Sequence, residues 1–497
     1  MGRYAAVDLG ASSGRVIVGT VQNGKVHLQE VARFPNNPLE LEDGLHWDSV
    51  GLRGQVEAGL ALAAAGGGLV SAGVDSWGVD YGRLDAAGEL LEPPFHYRDR
   101  RTDQAPEAFF QGFSAAELYR ENGLQVQPFN TVFQFTAAAG DPRWAEVVDV
   151  LLLPDLFNYW LTGQRLAEVT TASTSGLLQI ARRDWSSAVA DHLHQVYGLP
   201  TPRVLPRLVE PGTVVGTTRT GLFARPFPVV AVGEHDTASA VLAVPAADPD
   251  FAYISSGTWS LVGLELEAPV LSESARRANF TNELGPDGTV RFLKNVMGLW
   301  VLNECLRRWR ERGRRLTVAQ ALEAAARLPA LAYVVDIDDE RLLPPGDMPA
   351  RLRQLAAETG QQLPDDPATI TRCVVDSLAL AYRAGLRQAC DLSGRRPTAV
   401  HLVGGGCHNQ LLCQLTAEAV GCRLVAGPVE AAALGNLLIQ ARAAGDLTGD
   451  RFDLRRVVAA STELVEYRPG KLGLGEDRWA AAEARLERGR GREKAQW

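Results

Sequence analysis

Short apolar runs separated by small polar turns open the chain, and the same pattern returns near its middle. Tyr4–Val21 consists of two apolar runs around the small residues Asp8–Gly14. Phe251–Leu264 repeats this arrangement around the turn Ser255–Thr258. Apolar runs joined by a turn rich in glycine and serine are typical of β-hairpins. The repetition predicts two related lobes, each of which opens with a hairpin.

The residues after the first hairpin predict a mixed sheet covered by helices. Val26–Phe34 is predicted as a third strand and Asp48–Ala65 as a helix that ends at Gly66–Gly68. Leu69–Val74 follows as a buried strand. Three strands, a helix and a strand in this order are expected of a ribonuclease-H-like lobe. The predicted fold class is therefore α/β, with two such lobes and mixed sheets.

The remaining elements are predicted from periodicity and turn residues. The aromatic-rich segment 97–206 is expected to cap the first lobe, and Thr317 is placed to N-cap a helix. Trp479–Glu493 is expected to be a charged helix or a frayed tail. The other predicted helices are Ala145–Leu161 (broken near Pro154), Asn295–Arg312, Val318–Ala326, Pro367–Leu392, one that begins near Asn409 and a last core helix that ends at Ala444, and the other predicted strands are Val229–Val232, Val400–Val403 and Arg423–Ala426.

Composition and charge narrow the class of partner. The hydrophobic fraction of 46% and the charged fraction of 22% are typical of a soluble globular protein, and the net charge is −9. This balance provides no basic surface for nucleic acid or anionic lipid, so small-molecule partners are expected. The strand-like run after Arg3 argues against a signal peptide, and the most apolar stretch, Ala58–Val74, is interrupted by glycines. We expect a cytoplasmic protein whose six cysteines are free thiols.

Both hairpin turns have the composition of phosphate-binding turns. Small side chains leave backbone N–H groups accessible and allow a phosphate to approach closely. Asp8 stands where a strand meets the first turn, a position from which a carboxylate can hold Mg²⁺ beside phosphates, and Arg15 adds a cation. The alternatives are two ordinary hairpins and an Asp8 that caps its own turn. The chain lacks G-x-x-x-x-G-K-[ST], and Gly10–Gly14 does not match G-x-G-x-x-G, which excludes a P-loop and argues against a dinucleotide fold.

Two further turns follow buried strands. Gly404–Gly406 would let a flat group such as adenosine lie against the backbone, or would form a tight strand-to-helix turn that needs positive φ. The segment 75–80 places Asp75, Trp77 and Asp80 at a strand end. An indole can stack on the C–H face of a sugar while carboxylates accept hydrogen bonds from its hydroxyl groups. A purely structural turn explains this second pattern equally well.

The segment Glu234–Thr237 follows a predicted strand at the border of the two lobes. We choose Asp236 as a general base, because a hydroxyl group that receives a phosphoryl group must lose its proton to an acceptor within hydrogen-bond reach. Asp236 could instead N-cap the helix 237–242, and the two roles are compatible.

Taken together, these motifs resemble the sugar kinases of the FGGY family, which have an actin/hexokinase-type fold with a cleft between the lobes. The resemblance runs from about residue 4 to about residue 468, and it rests on the whole set because no single motif is specific. The segments that carry it are Val7–Arg15, Asp75–Asp80, His235–Ala240, Leu293–Trp300, Val403–Cys407 and Gly427–Asn436.

The resemblance implies an ATP- and Mg²⁺-dependent kinase that phosphorylates L-rhamnulose to L-rhamnulose 1-phosphate in L-rhamnose catabolism, with Asp236 as the general base. One departure is Asn303, where a glutamine is expected near the nucleotide. The implied contacts are Ala11, Ser12, Ser13, Gly14, Arg15, Thr258, Asn303 and Gly405 for ATP, Trp77, Gly78, Asp80, His235, Asp236, Thr237 and Asn295 for the sugar, and Asp8 for the metal.

The resemblance also implies a division into domains. Residues 1–244 would form the sugar-binding lobe with the phosphate hairpin and the cap, residues 245–468 the nucleotide-binding lobe, and residues 469–497 a peripheral tail.

Other functions are compatible with the same motifs. Kinases of the same family for xylulose, fuculose or glycerol share the nucleotide motifs, and an actin-like or chaperone-like ATPase shares the paired hairpins. An inactive binding protein is disfavoured by the presence of Asp8, Asp236 and Thr258.

Overall fold

A computed structural model describes residues 2–490, with side chains through residue 486. The chain forms two compact units, and each is assembled from several stretches of sequence. The first unit contains the residues through Ala247, Glu265–Phe292 and Glu430–Thr462. The second contains Asp248–Leu264, Leu293–Val429 and the residues from Glu463 on. The sequence predicted domains that are continuous in the chain, with boundaries at 244/245 and 468/469. These boundaries stay a prediction, whereas the two compact units are each discontinuous in sequence.

The described residues form both strands and helices, interspersed along the chain, as expected for an α/β protein. The strands are β1 (Gly2–Leu9), β2 (Ser13–Gln22), β3 (Lys25–Pro35), β4 (Pro38–Leu41), β5 (Gly44–Trp47), β6 (Ser71–Ser76), β7 (Tyr81–Leu84), β8 (Asp149–Leu152), β9 (Leu166–Glu168), β10 (Leu178–Gln179), β11 (Asp184–Trp185), β12 (Arg207–Val209), β13 (Val214–Thr217), β14 (Pro228–Val230), β15 (Phe251–Ser256), β16 (Ser260–Leu266), β17 (Thr281–Leu284), β18 (Val290–Val296), β19 (Ala399–Val403), β20 (Arg423–Ala426) and β21 (Val465–Tyr467).

The α-helices contain more of the described residues than the strands do. They are α1 (Ser49–Ala65), α2 (Ala105–Phe110), α3 (Ala115–Asn122), α4 (Thr131–Ala137), α5 (Leu153–Thr162), α6 (Val169–Ala172), α7 (Ser187–Tyr197), α8 (Asp236–Leu242), α9 (Glu273–Arg277), α10 (Trp300–Glu311), α11 (Val318–Ala326), α12 (Met348–Glu358), α13 (Pro367–Ser393), α14 (Gln410–Val420), α15 (Ala431–Ala443), α16 (Arg451–Ser461) and α17 (Glu476–Arg490).

The first unit is centred on a mixed sheet with the strand order β13-β14-β6-β1-β2-β3. The predicted hairpin is confirmed, because β1 and β2 pair antiparallel with Asp8 opposite Arg15. On its other side β1 pairs in parallel with β6, which places Asp8 beside Asp75. β6 in turn pairs in parallel with β14. The carboxyl ends of β1, β6 and β14 therefore lie at one edge of the sheet.

The second sheet has the strand order β17-β18-β16-β15-β19-β20-β21. Its hairpin, β15–β16, is also confirmed, with Ser256 paired to Ser260 around the turn. β15 pairs in parallel with β19, so that Ser255 lies beside Val403 at the carboxyl ends of both strands. The second hairpin turn and the three glycines after Val403 thus meet at one edge of this sheet.

Small residues allow helix α15 to pack closely in the first unit. A Cβ atom at Gly435 would lie 1.8 Å from the carbonyl oxygen of Ser239 on α8, so only glycine fits this helix–helix contact. Gly19 of β2 likewise leaves room for Leu437 of the same helix, whose Cδ1 would lie 2.6 Å from an added Cβ. This packing brings Glu430 and Asn436 to the sheet edge that carries Asp8 and Asp75.

The predicted N-cap Thr317 is confirmed, and two other helices begin at the capping residues where their starts were predicted. Asp48 N-caps α1 by accepting from the Gly51 N–H, and Thr317 forms a capping box with Gln320 at the start of α11. Asn409 N-caps α14. These local signals decide where the helices begin because they satisfy N–H groups that the first turn of a helix leaves free.

Two predicted helices were too long. The segment predicted as Ala145–Leu161 contains strand β8 before α5, and Pro154 occupies the first turn of α5, where its missing N–H costs nothing. The segment predicted as Asn295–Arg312 is strand β18 through Val296, and α10 begins only at Trp300. Gly298 separates them, and an added Cβ there would lie 2.6 Å from the Trp259 carbonyl carbon.

The C-terminal helix is more than a solvated tail. Trp479 of α17 is 1% exposed, although the charged sequence around it predicted a solvated surface. Glu483 of the same helix accepts from Arg383 Nε at 2.8 Å, which ties α17 to α13. None of the described helices is long and apolar enough to cross a membrane.

Candidate active site

A group of acidic side chains occupies the edge of the first sheet where β1, β6 and β14 end. The Ser76 N–H donates to the Glu234 carbonyl at 2.9 Å, which extends the parallel pairing of β6 into the loop after β14. His235 bridges to Ser76 in parallel, and Asp236 begins helix α8. In parallel sheets the carboxyl ends of the strands are the usual ligand-binding edge. Asp8, on β1, and Asp236, just after β14, therefore lie at the same edge of this sheet.

Arg15 is held between two carboxylates. Its Nη2 donates to Asp8 Oδ2 at 2.5 Å, and its Nη1 forms an ion pair with Glu430 at the start of α15. Burial raises the pKa of Asp8, and the negative charges of Asp236 and Glu430 act in the same direction, whereas Arg15 opposes them. Glu430 is a residue that sequence reasoning missed, because the partner lies 415 positions away in the chain.

Asp75 contributes a second buried carboxylate beside Asp8. It is 0% exposed, and its Oδ2 accepts from Asn436 Nδ2 at 2.6 Å. Its Oδ1 is buried without a hydrogen-bond partner in the described structure. Burial and the neighbouring charge of Asp8 raise the pKa of Asp75 well above its usual range. Together with Asp8, Asp236 and a single arginine, this edge has an excess of negative charge.

That excess fits a divalent cation. The described residues contain no ready-made group of three or more His, Cys, Asp and Glu side chains arranged as a metal site. Mg²⁺ is commonly bound through one or two carboxylates, with the rest of its shell supplied by water and substrate phosphates. The unpartnered Asp75 Oδ1 and the carboxylate of Asp8 match that requirement. The assignment of Asp8 to the metal stays a prediction. Asp75 is a second candidate metal ligand, because it lies beside Asp8 and its Oδ1 has no hydrogen-bond partner in the described structure.

His235 and Asp236 form the part of the edge that remains accessible to a small molecule. The Asp236 side chain is 31% exposed, whereas that of His235 is 11% exposed. His235 Nδ1 lies 3.2 Å from Glu283 Oε2, and its Nε2 lies 3.6 Å from Asp236 Oδ1. Thr237 donates its hydroxyl to Asp236 Oδ1 at 3.0 Å. A carboxylate in this position is a suitable proton acceptor. The alternative that Asp236 N-caps the helix does not hold, because Asp236 is the first residue of α8 and His235 occupies the N-cap position.

The aromatic part of the site is organised around Asp80. Its Oδ2 accepts from the indole Nε1 of Trp47 at 2.6 Å and from that of Trp77 at 2.9 Å, and its Oδ1 accepts from Gln134 Nε2 at 3.0 Å. Asp80 is 0% exposed, and Trp77 is 8% exposed. Burial raises the pKa of Asp80 to about 6 although these donors favour its charged form. The geometry favours Asp80 as the group that orients Trp77, and its direct contact with a sugar stays a prediction.

The backbone that links Trp77 to Asp80 is strained. The Asp80 N–H donates to the Gly78 carbonyl at 3.0 Å, and Val79 between them has φ +71°. A γ-turn with positive φ is rare, and a β-branched residue at its centre is an outlier. Thr174 supports the turn by accepting from the Val79 N–H at 3.1 Å. Strain of this kind concentrates at functional sites, which supports the assignment of Gly78 to the sugar site.

In the second unit, the hairpin turn and the three glycines meet at Ser256. Gly404 has φ +86°, and an added Cβ at Gly406 would lie 2.2 Å from Ser256 Oγ, which agrees with the tight turn that needs positive φ. Adenosine binding at this turn stays a prediction. Gly405 is exposed with no atom near the place of a Cβ, which leaves room for a flat group. The Trp300 N–H donates to the Thr258 carbonyl at 3.1 Å, which fixes the start of α10 against the hairpin.

The predicted contact residues are distributed over the two units. Asn303 lies one turn into α10 and is exposed, and Asn295 lies on β18 of the same unit as Thr258 and Gly405. Ala11 and Ser12 lie in the first hairpin turn, which is fixed by Asn36 Nδ2 donating to the Gly10 carbonyl at 2.9 Å. Ser13, Gly14 and Arg15 lie on β2. Sequence reasoning missed Asn36, Trp47, Gln134, Glu430 and Asn436, which act from distant segments.

Comparison with known proteins shows the family of this chain. The profile described as the FGGY family of carbohydrate kinases, N-terminal domain, matches residues 3–243, and the corresponding C-terminal domain profile matches residues 252–444. The chain belongs to the FGGY family of carbohydrate kinases. The predicted resemblance is confirmed, and so is the class of enzyme, a carbohydrate kinase. Kinases of this family use ATP as the phosphoryl donor.

Curated relatives and solved structures refine this assignment. A rhamnulokinase of Bacteroides thetaiotaomicron is 41% identical over 475 residues, which covers 94% of this chain and 96% of the relative. A rhamnulokinase of Enterococcus faecalis is 40% identical and covers 89% of this chain and 90% of the relative.

The similar solved structures are more distant in sequence. They include a ligand-bound xylulose kinase from Lactobacillus acidophilus, with a TM-score of 0.79, 15% identity and coverage of 99% of this chain and 97% of that structure. A Plasmodium falciparum glycerol kinase with ADP has a TM-score of 0.77, 12% identity and coverage of 100% and 99%. At such identities these likenesses show the fold alone, and they confirm the predicted two-domain α/β fold.

Proposed function

We propose that this kinase transfers the γ-phosphoryl group of ATP to L-rhamnulose and forms L-rhamnulose 1-phosphate. The similarity to two rhamnulokinases supports this choice of sugar over xylulose, fuculose or glycerol. The observation that carries the chemistry is Asp236, a partly exposed carboxylate at the edge where Asp8 and Asp75 are buried. The six free cysteines favour a reducing compartment, and we propose the cytoplasm.

In the proposed mechanism Asp236 accepts the proton of the sugar hydroxyl group as the phosphoryl group arrives. Thr237 donates a hydrogen bond to Asp236 Oδ1, and His235 Nε2 lies 3.6 Å from the same oxygen. Trp77, oriented by Asp80, stacks on the sugar. Gly78 and Asn295 are the other proposed sugar contacts. Positioning of this kind supplies much of the rate enhancement in phosphoryl transfer.

The proposed nucleotide contacts belong to the two hairpins. In the first unit Ala11–Arg15 would contact the phosphates, with Arg15 as the cation, and in the second unit Thr258, Asn303 and Gly405 would contact ATP. Asp8 and Asp75 would hold Mg²⁺, which when bound offsets phosphate charge. Burial raises the pKa of both neighbouring carboxyl groups, and a bound cation would offset the cost of their charged forms, which supports this assignment.

A coupled ADP-release assay tests the proposal. We expect Mg²⁺-dependent ADP formation with L-rhamnulose, little with xylulose, fuculose or glycerol, and none without sugar. ATP hydrolysis that is independent of sugar would favour an actin-like or chaperone-like ATPase. A clear preference for another ketose or for glycerol would keep the family and overturn the substrate.

A further inference from the structure

A buried acid network lies directly behind the loop that carries His235 and Asp236. Its carboxyl groups belong to Asp155 on α5, Glu168 at the end of β9 and Glu234 in the loop itself, and they are 3%, 0% and 0% exposed. Buried carboxyl groups are costly unless hydrogen bonds satisfy them, so each one has to be accounted for.

Glu168 holds two consecutive N–H groups of the loop. Its Oε2 accepts directly from the Glu234 N–H at 3.2 Å and from the Thr170 hydroxyl at 2.6 Å. Because the Thr170 hydroxyl donates to Glu168, its oxygen is free to accept from the His235 N–H, which lies at 3.3 Å. The N–H groups of the two residues before Asp236 are therefore held by one carboxylate and one hydroxyl group, in addition to the pairing of Ser76 with this loop.

The other two carboxyl groups satisfy each other if they share a proton. Asp155 Oδ1 accepts from the Glu168 N–H at 2.9 Å, and Glu234 Oε1 accepts from Asn158 Nδ2 at 2.7 Å. The remaining oxygens, Asp155 Oδ2 and Glu234 Oε2, are buried without a donor in the described structure. Burial raises the pKa of both groups well above their usual range, the direction needed to keep a proton. The side chains of Asp155 and Glu234 meet in a hydrogen bond, which needs a proton on one of them, and one proton between them satisfies both groups.

We propose that Glu168 and Thr170 are positioning residues that, together with a proton shared by Asp155 and Glu234, fix the loop so that Asp236 meets the sugar hydroxyl group. This inference rests on the proposed role of Asp236 as the general base. The shared proton stays in place throughout the reaction, and its function is to hold the loop.

Adjacent threonines provide a matched test. Thr170 and Thr171 are both fully buried, but the Thr171 hydroxyl has no hydrogen-bond partner in the described structure. We expect Thr170→Val to lower kcat by roughly 10–100-fold with little change in KM for ATP, the scale expected for a misplaced catalytic group. Thr171→Val should stay within about 2-fold of wild type, as is usual for substitutions that remove no interaction. Thr170→Ser keeps the hydroxyl group and should restore most of kcat.

Hydrogen exchange separates this inference from the proposed function. In the intact protein, deuterium uptake of peptides that span residues 233–238 should be faster in Thr170→Val than in wild type and unchanged in Thr171→Val. Hydrogen exchange tests the positioning role even if the enzyme does not phosphorylate L-rhamnulose. Failure to phosphorylate L-rhamnulose would overturn only the proposed function. Unchanged exchange and unchanged kcat in Thr170→Val would overturn the positioning role.

Amide variants test the shared proton. Asp155→Asn or Glu234→Gln places an N–H donor where the proton is proposed, so each single variant should keep kcat within roughly 3-fold of wild type. The double variant makes two donors face each other, and its kcat should fall by at least roughly 10-fold more than the product of the single effects. Additive effects in this cycle, or severe losses in both single variants, would overturn the shared proton.

Discussion

The indole of Trp77 donates a hydrogen bond to the carboxylate of Asp80 at 2.9 Å across a strained γ-turn. A second indole, that of Trp47, donates to the same oxygen, so the carboxylate fixes the plane of Trp77 from a fully buried position. A rigid ring that is 8% exposed is suited to stack on one face of a sugar.

Removal of this ring should weaken sugar binding selectively. We expect Trp77→Ala to raise KM for the sugar by roughly 10-fold, in line with about 0.5–1.5 kcal/mol for an aromatic contact beyond its buried area, and to change KM for ATP much less. Steady-state kinetics with each substrate varied in turn measures this. A larger rise in KM for ATP than for the sugar would place Trp77 outside the sugar site.

The carboxylate of Asp80 should make sugar binding sensitive to low pH. Burial raises the pKa of Asp80 to about 6, so the group is ionised above this pH and gains a proton below it. A protonated carboxyl accepts the indole hydrogen bonds less well, and KM for the sugar should therefore rise as the pH falls through about 6. Tryptophan fluorescence should titrate with the same midpoint, and Asp80→Asn should abolish that transition. A transition that persists in Asp80→Asn would assign it to another group.

Gly78 should tolerate no side chain. An added Cβ would lie 2.5 Å from Thr174 Oγ1, and Thr174 supports the γ-turn. We expect Gly78→Ala to cost about 1–3 kcal/mol through overpacking and to raise KM for the sugar. Gly54→Ala on α1 is the matched control, because nothing lies within 4 Å of its added Cβ. Equal thermal stability and equal KM in both variants would contradict this account of the turn.

Arg15 should be required for turnover with ATP. Its guanidinium group is held by Asp8 and Glu430 at the end of the hairpin, and Arg15→Gln should lower kcat/KM for ATP by roughly 10²-fold or more, as expected when a preorganised charge is lost. Arg33 pairs with Arg15 in register on β3, and its side chain is 49% exposed. Arg33→Gln should therefore behave as wild type, and similar losses in the two variants would indicate a general effect of charge.

Asp236 should be essential for the chemical step. We expect Asp236→Asn to lower kcat by roughly 10²–10⁴-fold, the usual contribution of a general base, with the protein still folded. Asp391→Asn is a control on α13, where the side chain is 75% exposed. Single-turnover measurements would separate the chemical step from product release. Near-normal turnover in Asp236→Asn would remove Asp236 from this role.

The sequence by itself determined the features that depend on neighbours along the chain. Both hairpins, the start of α1, the N-cap of α11 and the strand before Gly404 follow from local periodicity and from side chains that bond within a few residues. The set of motifs was also sufficient to predict the family. Where a prediction of this kind failed, as for Ala145–Leu161, a short apolar run was compatible with either a strand or a helix.

The tertiary structure alone decided which groups satisfy the buried charges. Glu430 and Asn436 reach Arg15 and Asp75 because α15 packs on the first sheet, and Gln134 and Trp47 reach Asp80 from other segments. The hydrogen bond from His235 to Thr170 spans 65 positions in the chain. Local patterns carry no information about such partners, because the free energy of burying a charged or polar group depends on which distant atoms fold against it.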